Sequence, residues 1–157
     1  SNSKEPFQPI ELPDSLESGT LNVVGIAGLM SGVNFVLKTG SDGIAHKENR
    51  LADMLAADLL SIHGVRLAGY KAEGNRIGVL SAVIDGMDCV DAASRLNSDY
   101  HIAVRSGYHC SYIAHETIGT AATGTIRFSF GAFNTIDEVK RTAFAVSRIA
   151  KRLYFLR

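Results

Sequence analysis

One short run sets a thiol among cationic partners: Arg105-Ser106-Gly107-Tyr108-His109-Cys110. Cys110 directly follows an imidazole and stands a few residues after a guanidinium, in a loop whose small residues could expose it. The thiolate is the nucleophile and the thiol is not, and positive charge nearby favours the thiolate, so Cys110 is a candidate nucleophile. A free cysteine is also commonly a small buried hydrophobe, and the His-Cys pair alone leaves both readings open. As metal ligands, Cys110, His109, His115 and His101 lack any CxxC or HxxxH pairing, and no metal site is expected. A cysteine hydrolase built on Cys110 with His109 or His115 is a poor reading, because adjacent residues rarely present their side chains to each other.

The composition narrows what such a site could serve. Sixteen basic and sixteen acidic residues cancel, so no broad positive field draws the chain to nucleic acid or anionic lipid. Two cysteines, Cys89 and Cys110, are too few for a disulfide scaffold. Every apolar stretch is broken by Gly, Ser, Asn, Lys or Asp before the roughly 20 residues that a spanning helix needs. These features lead us to expect a reducing, cytoplasmic setting and small molecules or other proteins as partners.

The elements that must position the loop follow from apolar spacing. Residues 1–21 hold all three prolines, Pro6, Pro9 and Pro13, and read as an extended arm or connector from a larger domain. Residues 22–157 then form one domain with its leading helices. A helix over 22–37 carries Val23, Ile26, Leu29, Met30, Val33, Val36 and Leu37, with Asn22 as its cap. Gly25, Gly28 and Gly32 run along it, a pattern that usually marks a second backbone packed close. A helix over 41–62 follows, with Ile44, Leu51, Met54, Leu55, Leu59 and Ile62 as its stripe and Gly64 as its stop. Strands are expected over 65–70 and 77–84 about a turn at 72–75, a helix over 88–97 with Cys89 packed at its start, and a brief strand over 101–104. A loop over 106–124, a strand over 125–130 and a last helix complete the chain. That helix is capped by Asn134 or Thr135 and carries Val139, Phe144, Val146, Ile149 and Leu153. This is an α/β (α+β) pattern, a small mixed or antiparallel sheet covered by helices.

Three motifs, in order along the chain, carry a resemblance. LESGTLNVVGIAGL, RSGYHC and GTIRFSFGAFNT resemble the signature segments of class V aminotransferase-fold cysteine desulfurases and selenocysteine lyases, more narrowly the SufS-like, NifS-related branch. The resemblance implies the C-terminal small domain of a fold-type I pyridoxal-phosphate enzyme. It implies that L-cysteine, or L-selenocysteine, loses its sulfur or selenium, that Cys110 takes the sulfur as a persulfide, and that alanine leaves. It implies Arg127 on the substrate carboxylate, a role suited to a planar guanidinium, with Arg105 and His109 lining the site. It implies Thr20 reaching the cofactor phosphate of the other subunit in a homodimer, and a sulfur-acceptor protein as partner, as in iron–sulfur cluster assembly. Asn22 is read as a cap and not a ligand.

Two departures stand out. Tyr108 replaces a second histidine of many SufS-like members, which changes proton handling beside Cys110. The family's Schiff-base lysine has no match: His46-Lys47 imitates its dipeptide but falls inside the second helix and reads as solvated surface. The chain by itself is therefore expected to be inactive. A stand-alone sulfur-relay module of the same fold is the reading of another class.

Overall fold

The computed structural model describes residues 4, 6–17, 19–71 and 76–154. Two compact units divide the chain, the first running to Ser41 and the second from Asp42.

In the first unit a short turn around Pro13 is closed by the Ser15 and Glu17 amides, which donate to the carbonyls of Glu11 and Pro13. Helix α1 (Val23–Thr39) begins where Asn22 Oδ1 accepts the Gly25 amide at 2.9 Å, which satisfies one of the amides a helix start leaves open. A Cβ at Gly25 would collide with that asparagine, so the cap explains this glycine. At Gly28 and Gly32 a Cβ would meet nothing within 4 Å among the described residues. No residue of α1 is buried, and Val24, Leu29 and Leu37 are among its exposed apolar side chains.

After Ser41, which opens α2 (Ser41–Leu60), the second unit holds the rest of that helix and then β1 (Val65–Leu67), β2 (Val79–Ile84), α3 (Cys89–Tyr100), β3 (Arg105–Gly107), α4 (Tyr112–Thr117), β4 (Thr125–Ser129) and α5 (Ile136–Tyr154). The four strands form one antiparallel sheet in the order β1-β2-β4-β3. Side chains alternate across a sheet, and Leu80, Ala82, Ile84, Ile126 and Phe128 share the face that packs on Leu51, Leu55 and Leu59 of α2, Leu96 of α3, and Val139, Val146 and Ile149 of α5. One apolar cluster thus joins the sheet to three helices, as the small helix-covered sheet read from the sequence requires. No single helix among the described residues is long and apolar enough to cross a membrane.

Several elements differ from the sequence reading. His101 does not start a strand. It closes α3 in the left-handed region, at φ 56°, with its amide on the carbonyls of Leu96 and Asn97, so the strand begins only at Arg105. The loop expected over 106–124 includes the end of β3 and all of α4. Phe144 is exposed, and α5 instead buries Val139, Thr142, Ala145, Val146, Ile149 and Ala150. The two candidate caps of α5 divide the work. Thr135 and Glu138 exchange backbone and side-chain hydrogen bonds in a capping box, while Asn134 Oδ1 accepts the Gly131 amide. The expected turn at 72–75 and the Leu153 side chain lie outside the described residues.

Candidate active site

Strand β4 must present one face to the helical core, since Ile126 and Phe128 are almost fully buried there. Arg127 between them therefore points to the opposite face, with Thr125. Antiparallel register sets Arg105 directly across from Arg127 and Gly107 across from Thr125. Two guanidinium groups thus stand side by side on one face, although like charges placed directly opposite each other destabilise a sheet. Among the described residues Arg127 has no carboxylate partner, and its buried Nε has no hydrogen-bond acceptor. An unpaired buried donor is expensive unless something else accepts from it. A chain of zero net charge so holds a local pair of donors shaped for a planar anion.

The thiol reaches this pair through a bend. His109 and Cys110 both adopt positive φ, 52° and 62°, a region in which side-chain-bearing residues cost on the order of 1–3 kcal/mol each. The bend turns the chain back over the face that carries Arg127. His109 Nε2 lies 2.9 Å from Thr125 Oγ1, and the Tyr108 hydroxyl donates to the Ala121 carbonyl at 3.0 Å. Cys110 is exposed, and Arg105 Nη2 lies 3.7 Å from its sulfur. This places a permanent cation within hydrogen-bonding range of the sulfur.

Burial, and then the charges of Arg127, His115 and Arg105, hold His109 below the usual histidine value. The ring is consequently neutral at pH 7. Its Nδ1 is buried and has no partner among the described residues, so a polar ligand could still engage it.

Of the residues singled out from the sequence, the structure brings Arg105, His109, Cys110 and Arg127 together. Thr20 belongs to the first unit, exposed just ahead of the α1 cap. Lys47 lies on the exposed surface of α2, with Nζ donating to the Ala132 carbonyl at 2.6 Å. Cys89 is buried at the start of α3. Sequence reasoning missed Thr125 and Ala121, the partners of His109 and Tyr108. Only the threonine that opens β4, two positions before Arg127, gave a signal, since alternation puts it on the arginine's face.

The family model of the class-V aminotransferases matches residues 4–142. The chain belongs to the class-V aminotransferase family. Within it, a probable cysteine desulfurase of Xylella fastidiosa is 35% identical over 141 residues, which is 90% of this chain and 33% of that protein. A probable cysteine desulfurase of Methanothermobacter thermautotrophicus is 32% identical over 149 residues, 94% of this chain and 37% of that protein. Among solved structures, the apo cysteine desulfurase of Thermococcus onnurineus superimposes with a TM-score of 0.76 at 29% identity, covering 88% of this chain and 34% of that one. The cysteine desulfurase CsdA of Escherichia coli gives 0.72 at 28% identity, covering 90% and 33%. The chain therefore spans about a third of the length of these relatives, and its small helix-covered antiparallel sheet is theirs as well.

Proposed function

We propose that the intact protein is a pyridoxal-phosphate-dependent cysteine desulfurase in which Cys110 receives the sulfur of L-cysteine. The observation that carries this reading is an exposed thiol 3.7 Å from Arg105 Nη2, beside an Arg127 with no carboxylate partner among the described residues. Arg127 binds the substrate α-carboxylate as a bidentate partner. Arg105 stabilises the Cys110 thiolate and then the persulfide anion. The Cys110 sulfur bonds to the substrate sulfur as the substrate carbon–sulfur bond breaks, and the remaining three-carbon amino acid takes up a proton and leaves as alanine. Cys110 keeps the transferred sulfur until an acceptor protein takes it.

The residues present fit the cofactor in two respects: an unpaired donor on Arg127 and an unpartnered ring nitrogen on His109 for a polar, acidic ligand, and an exposed hydroxyl on Thr20. In this reading Thr20 holds the cofactor phosphate bound by a second copy of the chain, and the anchoring lysine is supplied outside these residues, Lys47 being engaged by Ala132. When bound, pyridoxal phosphate supplies the electron sink that weakens the carbon–sulfur bond.

The test is Cys110→Ser in the intact protein. Alanine release from cysteine should fall to background, and mass detection should no longer find a sulfur adduct on the peptide holding residue 110, because a hydroxyl is a poor nucleophile toward sulfur. Selenocysteine run in parallel separates a desulfurase from a selenocysteine lyase, since selenium leaves with less help from a thiol. Cysteine turnover that survives the substitution unchanged removes Cys110 from the reaction.

A further inference from the structure

The bend at His109 and Cys110 raises a question that the site residues do not answer: what holds two consecutive side-chain-bearing residues at φ 52° and 62°. Such conformations persist only where the surroundings over-determine them. The surroundings here converge on one imidazole that the chemistry does not use. His115 is almost fully buried, at 4% exposure, although it sits on α4, whose other residues are exposed. Its ring meets Tyr108 edge-on at 5.4 Å and His109 at 5.9 Å, so it touches both residues that precede Cys110. Tyr108 is further fixed by an edge contact with Tyr112 at 5.2 Å.

His115 is itself held at two points by one residue. Its Nδ1 lies 2.7 Å from Thr120 Oγ1, and the Thr120 amide donates to the His115 carbonyl at 2.8 Å. Thr120 is 2% exposed, and its own carbonyl accepts the Gly124 amide at 2.8 Å, immediately before β4. A continuous run of contacts thus leads from the sheet through Thr120 and His115 to the Tyr108-His109 step. The edge-to-face contact with Tyr108 is directional, and the tilted His109 ring packs against the same imidazole, so a ring fixed at Nδ1 limits where Tyr108 and His109 stand, and Cys110 follows from them.

We propose that His115, fixed by Thr120, is the positioning residue that holds Cys110 beside Arg105. The inference rests on the reading of Cys110 as the sulfur acceptor, but one arm of its test does not. Thr120→Val keeps the shape of the threonine and removes the hydroxyl, leaving the His115 nitrogen buried without its partner. Thr120→Ser keeps the hydroxyl. His115→Leu removes the ring nitrogen, whereas His115→Asn keeps a polar atom near the Nδ1 position.

In the intact protein, Thr120→Val and His115→Leu should slow sulfur transfer to residue 110 on the order of tenfold, because displacing a reacting group lowers the rate at a distance from the change. The KM for cysteine should stay unchanged, since Arg127 is untouched. Thr120→Ser and His115→Asn should restore most of the rate. The rate of Cys110 alkylation by iodoacetamide, followed by mass spectrometry without substrate, should change in the two disrupting variants and return in the two conservative ones. Thermal melting of all four identifies variants that fail to fold.

An unchanged alkylation rate in a folded Thr120→Val protein overturns the proposal. So does a loss of rate that Thr120→Ser fails to restore, or a rise in KM in place of a fall in kcat. If Cys110→Ser leaves alanine release intact while Thr120→Val still alters alkylation, the positioning holds and the desulfurase reading fails.

Discussion

Arg105 and Arg127 are direct cross-strand partners, set opposite each other where β3 pairs with β4. A sheet gains nothing from placing two permanent cations in register, and no carboxylate among the described residues relieves Arg127. The arrangement makes sense if an anion enters between them.

Arg127→Lys tests that anion. An ammonium replaces a two-pronged contact with a point charge, so the apparent KM for cysteine should rise by about tenfold or more, with a smaller change in kcat. Steady-state kinetics of alanine release provide the check. An unchanged KM removes Arg127 from carboxylate recognition.

Thr20→Ala addresses the proposed phosphate contact. Cofactor affinity should fall, while the melting temperature of the cofactor-free protein stays within a degree or so, because an exposed hydroxyl contributes little to folding. Equal losses in both measurements would make Thr20 a turn residue and nothing more.

His109 supplies a pH dependence. Its folded value lies below the ordinary histidine value, chiefly through burial and then through Arg127, His115 and Arg105. The unfolded chain therefore binds this proton more readily than the folded one. Stability is unaffected by this group above the ordinary value near 6.5, and it falls as pH drops from there through the folded value. Urea midpoints measured from about pH 7 to pH 5 should decline, and His109→Gln should flatten the decline, because an amide does not titrate in that range. A slope that survives the substitution assigns the effect to another group.

Gly124→Ala probes the packing behind the site. The position is at φ 62°, and a Cβ there would lie 3.0 Å from Cys89 Sγ and 3.1 Å from Gly107 Cα. We expect a loss of about 1–3 kcal/mol in urea denaturation. Adding Cys89→Ala should recover part of it, since the sulfur contact goes while the backbone strain and the Gly107 contact remain. Full recovery would mean that the sulfur alone was responsible.

How much of this was legible beforehand depended on what a residue's neighbours in sequence could reveal. Leu51, Leu55 and Leu59 declared α2 because a buried helical stripe repeats on one face. Ile126 and Phe128 declared β4 because apolar residues alternate with polar ones along it. His101 was misread because a left-handed helix cap borrows carbonyls from the preceding turn, and residue type alone does not show that. Helix α4 was missed because it is only six residues long and draws its order from His115 and Thr120. For the site, the motifs named Cys110, Arg105, His109 and Arg127. That Arg105 faces Arg127, and that His109 rests on Thr125, depend on strand register and on a bend at positive φ. Both are tertiary facts.

The outer strands of the sheet, β1 and β3, are each three residues long, and each carries an arginine, Arg66 or Arg105. An outermost strand offers unsatisfied amides and carbonyls to any other chain, and shortness and charge are the usual defences against such growth. A charged residue such as Arg105 in so short an outer strand works against edge-to-edge pairing with a neighbouring molecule. Replacing Arg105 with a β-branched apolar residue would lengthen the apolar border and invite self-association, so a drop in activity after such a change has to be separated from a drop in soluble protein.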